Sequence, residues 1–150
     1  MYLTDRQKAK YKVMSRPVCE HYCKQKHKES AMIISIKSSK DLVAPKLTIT
    51  EQNKIKYILS LSFDDCEVED DPKFCMSFED GKKIAEFVNA HYDDVDKIIV
   101  HCDGGISRSA GVAAAIMKVK EGDDWPIFDN RNKHPNMTCY LRTLKGFNYI

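Results

Sequence analysis

No apolar run in this 150-residue chain approaches the roughly 20 residues that a membrane-crossing helix requires. The first ten residues are polar and contain nothing like the apolar core of a signal peptide. Charge is nearly balanced. A net +2 is too small to predict a nucleic-acid or membrane-surface partner. Internal repeats and low-complexity segments are missing. Cys19 and Cys23 are four apart, with His21 and His27 nearby. No second Cys/His pair with zinc-finger spacing accompanies them, so we expect no metal and no cofactor, and read them as partly buried helix cysteines. These absences leave one ordinary domain over 1–150, expected to be cytoplasmic and monomeric. In a reducing compartment all six cysteines, Cys19, Cys23, Cys66, Cys75, Cys102 and Cys139, are expected to be free thiols.

Hydrophobic residues make up 43% of the chain and charged ones 31%, enough to bury a core and too apolar for disorder. The pattern along the chain predicts strands at 11–15, 31–36, 57–63 and 97–101. The last is short and almost continuously apolar, as at a sheet centre. Helices are expected at 18–28 behind Pro17, at 77–91 with Ser77 as N-cap, at 108–120, and from Pro135 onward with Leu141 and Leu144 facing inward. Residues 37–53 read as a polar loop with room for a short helix, and 64–72 as a strongly acidic loop. Strands alternating with helices indicate an α/β fold: a central, mainly parallel sheet flanked by helices. The small face Ala110, Gly111, Ala113, Ala114 and Ala115 suits close packing on that sheet.

The segment that carries chemistry is His101-Cys102-Asp103-Gly104-Gly105-Ile106-Ser107-Arg108-Ser109. It lies between a buried strand and a helix start, where ligands bind in open α/β sheets. A helix N-terminus offers free N–H groups and the positive end of its dipole. Paired glycines let Asp103, Gly104, Gly105, Ile106 and Ser107 curl into an anion nest. Arg108 adds a planar fork for two phosphate oxygens. Cys102 at the base of the nest would be a stabilised thiolate facing a cradled phosphorus atom. Ser109 is placed to donate to the sulfur. Spacing alone is weak, since about 0.2 Cys–Arg pairs at this separation arise by chance. The strand before, the glycines within and the small-residue helix after are what raise the signal.

On these residues the chain resembles the protein tyrosine phosphatase superfamily, in its compact dual-specificity branch. Residues 101–109 look like the signature His-Cys-x-x-Gly-x-x-Arg-Ser/Thr. Pro135-Asn136 is similar to the branch's Pro-Asn helix start, whose Asn braces the phosphate loop, although Tyr140 stands where the branch has Phe. The resemblance implies a cysteine phosphatase-like three-layer sandwich. It also implies no metal, and hydrolysis of phosphotyrosine, with phosphoserine and phosphothreonine, through a phosphocysteine intermediate. A general acid is required too, because the leaving oxygen needs a proton. Asp64 and Asp65, at the carboxyl end of the third strand, are the candidates, with Asp64 ahead because it follows the strand directly. Asp70 and Asp71 stand further out. His101 reads equally as a modulator of the thiolate or as a hydrogen-bonded strand-end residue. Trp125-Pro126 is followed by Ile127 and lies after Cys102, so it is not the Trp-Pro-Asp of the larger phosphatases.

Asp103 puts negative charge in the loop, which disfavours highly anionic inositol phosphates and triphosphate RNA ends. The expected substrate is a phosphorylated protein or another phosphomonoester. Other classes remain open: a phosphate-binding module without turnover, a rhodanese-like sulfur transferase, or an arsenate reductase that would use Cys66 and Cys75.

Overall fold

The computed structural model describes residues 3–67 and 73–150. The chain runs α1 (Asp5–Ala9), β1 (Tyr11–Ser15), α2 (Arg16–Cys23), β2 (Ala31–Lys37), β3 (Ile55–Ser62), α3 (Phe78–His91), β4 (Lys97–Cys102), α4 (Arg108–Glu121), α5 (Trp125–Phe128) and α6 (Met137–Gly146). The described strands form one sheet in the order β1-β4-β2-β3, with every pairing parallel. β4, which ends on Cys102, is therefore central, between β1 and β2.

Strand alternation divides the core. Met32, Ile34 and Ile36 of β2 and Ile98, Val100 and Cys102 of β4 point to one face, where residues of α3, α4 and α6 close the larger cluster. Ala31, Ile33 and Ile99 point to the other face, against Cys19 and Cys23 of α2. Both faces are thus covered, which is why β2 and β4 are apolar almost without interruption. Ala113, Ala114 and Ala115 are wholly buried, so α4 lies close against its neighbours, as the small-residue face led us to expect.

Several boundaries depart from expectation for local reasons. α2 starts at Arg16 because the Ser15 side chain accepts from the Val18 N–H and caps it. It stops at Cys23, not at 28. The Asn53 side chain takes the Cys23 carbonyl at 3.0 Å, and His27 folds back to stack on Tyr22. Cys19 and Cys23 are fully buried, not partly. Residues 38–54 contain no helix. Side-chain bonds such as Thr50 and Asn53 with each other's N–H groups hold turns there instead. In α6, Leu144 is buried as expected, but Leu141 is 47% exposed. The inward stripe is Cys139, Thr143 and Leu144. The short helices α1 and α5 were not foreseen, although Thr4 and Gln7 form a capping box at the start of α1.

The free-thiol expectation is corrected at one pair. Cys66 and Cys75 form a disulfide, their Cα atoms 5.5 Å apart. The chain returns on itself here, because the Asp64 N–H donates to the Phe74 carbonyl at 2.7 Å. Cys19, Cys23, Cys102 and Cys139 are free and buried. Asp70 and Asp71 lie outside the described residues. No helix among the described residues is long and apolar enough to cross a membrane.

Asn53 is the keystone of the long connection between β2 and β3. Its side chain, 1% exposed, donates to the carbonyls of Cys23 and Thr48 and accepts from the N–H groups of Thr50 and Ile55. Asn53→Ala should lower the unfolding free energy by about 2–4 kcal/mol, since several buried groups lose their partners together. Urea unfolding of the two proteins measures this.

Candidate active site

The segment between β4 and α4 is held from outside through its carbonyls. The Arg16 N–H donates to the Asp103 carbonyl at 3.2 Å, Lys133 Nζ to Gly105 at 2.6 Å, the His134 N–H to Ile106 at 2.9 Å and the Asn136 N–H to Ser107 at 3.0 Å. With the negative ends of these peptide dipoles engaged outward, the loop presents N–H groups to its interior. The Gly105 N–H already points at Cys102 Sγ, 3.3 Å away. Two glycines make this geometry possible. Gly105 has φ of 68°, and a Cβ there would lie 2.4 Å from the Met14 carbonyl carbon at the end of β1. A Cβ at Gly111 would lie 2.4 Å from the Asn136 carbonyl oxygen, so only glycine lets Asn136 reach the loop.

Cys102 is 2% exposed, at the floor of this nest. Burial pushes its thiol up. The Ser109 hydroxyl at 3.1 Å, the N–H groups of Ser109 and Gly105 and the Arg108 charge outweigh that, and hold it below the usual thiol range. His101 is fully buried on the opposite sheet face, and burial keeps its ring neutral. Its Nε2 lies 2.6 Å from Ser35 Oγ and its Nδ1 3.3 Å from the Cys102 carbonyl. The consistent arrangement has the Ser35 hydroxyl donating to Nε2 and Nδ1–H donating to the carbonyl. The ring therefore fixes the peptide that carries the thiol. Ser35 pairs with His101 across β2 and β4, so the contact follows from strand register.

Arg108 is 6% exposed. Its Nη1 donates to the Phe63 carbonyl at 2.9 Å and to Ser38 Oγ at 3.0 Å, and its Nη2 to Asp103 Oδ2 at 3.2 Å. Ser38 Oγ in turn donates to Asp103 Oδ2 at 2.7 Å. Burial raises the Asp103 carboxyl, but Ser38 and Arg108 prevail and hold it below the ordinary carboxylate range. The guanidinium is thus fixed in direction before any phosphate arrives.

The two acid candidates separate clearly. Asp64 Oδ1 accepts from the Ser39 N–H and hydroxyl, both at 2.8 Å. The backbone bond from Ser39, against a small burial effect and with help from its hydroxyl, Arg108 and Lys40, holds this carboxyl low. Asp65 turns to the loop itself. Its Oδ1 accepts from Ser107 Oγ at 2.7 Å and from Asn136 Nδ2 at 2.9 Å, while Oδ2 has no partner among the described residues. Asn136 also caps α6, its side chain accepting from the Cys139 N–H. Asp65, Ser107, His134 and Asn136 line an open cleft of about 470 Å³. Gly104 and Ile106 sit at the loop's exposed tip.

All the loop residues singled out from the sequence are therefore brought together. Ser35, Ser38, Ser39, Arg16 and Lys133 were missed. Ser38 and Ser39 follow the carboxyl end of β2, the position that flagged Asp64 on β3, and that signal was available for them too.

No protein-family model matches this chain, and no curated protein matches it. Solved structures do. Human DUSP28 aligns over 94% of this chain and 93% of its own, at 15% identity and a TM-score of 0.59. A human tyrosine phosphatase-like serine/threonine/tyrosine-interacting protein aligns over 89% and 83%, at 20% identity and 0.55. Tk-PTP in its active form aligns over 93% and 90%, at 12% identity and 0.54. At these identities the likeness is one of fold: the chain has the three-layer α/β fold of the dual-specificity and tyrosine phosphatases.

The geometry makes the Cys102 ionisation depend on Ser109. In Ser109→Ala the thiol loses its hydroxyl donor, and its ionisation should move to higher pH. The pH dependence of alkylation by iodoacetate, followed by mass spectrometry, reports this without reference to turnover.

Proposed function

We propose that the chain hydrolyses phosphate monoesters in phosphorylated proteins through a phosphocysteine intermediate on Cys102. The observation that carries this reading is the buried thiol held low in a nest of N–H groups, with Arg108 fixed above the same nest. A tetrahedral dianion in the nest would meet the thiolate from below, as in-line attack requires. Sulfur displaces the ester oxygen, which takes a proton from a carboxylic acid. Water, activated by the resulting carboxylate, then releases phosphate from sulfur. Ser109 lowers the charge on the departing thiolate in that second step.

Asp65 is the better acid on this reading, against the preference for Asp64 drawn from strand position. Asp64 is tied to Ser39 after β2 with its carboxyl held low, whereas Asp65 is exposed on the loop's rim and bonded to Ser107 of the loop itself. The open cleft beside it supports a shallow pocket that admits phosphoserine and phosphothreonine as well as phosphotyrosine.

A chromogenic aryl phosphate tests the reading. Wild type should release the phenol, and Cys102→Ser and Arg108→Ala should each lose the activity. Retention by Cys102→Ser, or an inert wild type, rejects it. Activity against pH should be bell-shaped. The rising limb follows ionisation of Cys102 and is displaced to low pH by its depressed pKa. The falling limb follows loss of the acid's proton. Asp65→Asn should cost roughly 10²–10³-fold in turnover and flatten the falling limb. Asp64→Asn should leave that limb in place.

A further inference from the structure

Beside the cradle, a tightly tied loop exposes two adjacent apolar side chains that the core does not use. Leu42 is 98% exposed and Val43 58%. Single apolar residues on a surface are ordinary. Two observations set this pair apart.

The first is the rigidity beneath it. The Asp41 N–H donates to the Ser38 carbonyl at 3.1 Å, closing a turn, and Lys37 Nζ donates to the Asp41 carbonyl at 2.9 Å. Asp41 Oδ1 accepts from the Val43 N–H at 3.1 Å. Arg16 reaches across to bind the Asp41 carboxylate and, at 2.8 Å, the Val43 carbonyl. A loop held this way has lost its freedom on folding, so displaying its tip to a partner adds little further ordering cost.

The second is where the ties lead. Ser38 Oγ contacts both Arg108 and Asp103, and the Arg16 N–H holds the Asp103 carbonyl. A turn keeps the Cα atoms of Ser38 and Asp41 within about 7 Å, and one more residue adds at most about 3.8 Å. Leu42 therefore stands within about three extended residues of Ser38, whose hydroxyl touches both Arg108 and Asp103.

We infer that Leu42 and Val43 form a docking rim for the substrate polypeptide, taking an apolar side chain two to four residues from the phosphorylated one. This rests on the phosphatase reading above. A protein chain fits better than a lipid surface. Charges of both signs surround Leu42, with Arg16, Lys37 and Lys40 beside Asp41, Asp64 and Asp103, so the rim is not the polybasic cluster that an anionic bilayer recruits.

The test uses matched phosphopeptides in which one leucine is walked from four residues before to four residues after the phosphoresidue, against an all-serine background. Wild type and Leu42→Ser are assayed with each, beside the aryl phosphate. Wild type should favour a leucine two to four residues away, on one side, by roughly tenfold in kcat/KM. Leu42→Ser should lose that preference. An equal rate on all peptides, no peptide hydrolysis beside active aryl phosphate hydrolysis, or a preference that survives Leu42→Ser each overturns this inference alone. So does a Leu42-dependent preference for phosphoinositide vesicles over every peptide, which would make the rim a membrane contact. A wild type inert toward the aryl phosphate overturns the phosphatase reading, and this inference with it.

Discussion

The site depends on keeping a buried sulfur charged. Burying an anion is unfavourable unless hydrogen-bond donors replace water, and here the donors outweigh the penalty. They can do so because the loop's carbonyls are turned outward and held there by Arg16 on one side and by Lys133, His134 and Asn136, from the single stretch before α6, on the other. If one of those ties is released, the peptide it holds can rotate and point an oxygen at the sulfur. The fold is the means of bringing those donors to one place. α2 starts without a connecting loop after β1, so its first N–H reaches Asp103. Gly111 lets the segment before α6 lie against α4, so the N–H groups of His134 and Asn136 meet the loop.

A second constraint acts on Arg108. Arg108 is occupied on three sides, by the Phe63 carbonyl, Ser38 and Asp103. The carbonyl bond is a fixed strut, but the Asp103 contact is a charge pair on a side chain that is 44% exposed. A pair this open is weak in water. Asp103 therefore holds the guanidinium in register without competing strongly for it. The same carboxylate leaves the cradle less positive than Arg108 and the helix dipole alone would make it.

The sequence made the architecture and the centre of the site legible for one reason: both are local. β4, the glycine pair, Arg108 and the alanines of α4 occupy one unbroken stretch, and the periodicity of β2 and β4 reports their burial directly. What stayed hidden depends on contacts between distant residues. The choice between Asp64 and Asp65 turns on Ser39 and Ser107, which stand 25 and 42 residues away from their respective partners. The Cys66–Cys75 disulfide depends on the chain folding back through Asp64 and Phe74. Leu141 was misplaced because two inward positions were assigned from a pattern too short to fix the phase of the helix. The end of α2 was set by Asn53, a residue on a different loop.

Asp65 is braced on both sides. Through Ser107 and Asn136 it is tied to the loop and to the cap of α6, and the next residue, Cys66, is tied through its disulfide to the segment that leads into the Ser77 cap of α3. A carboxyl that must give up a proton and later recover one works best when its position does not relax between the two steps. Asp64 is just as firmly held, also through one oxygen, but by Ser39 of the loop after β2. Two adjacent, chemically identical residues thus take different partners: Asp64 secures the end of β3 to the loop after β2, and Asp65 joins the loop before α4 to the cap of α6. The tight turn at Asp65, closed by the Cys66 N–H on the Asp64 carbonyl at 3.0 Å, accounts for the division, since it redirects the chain between the two side chains.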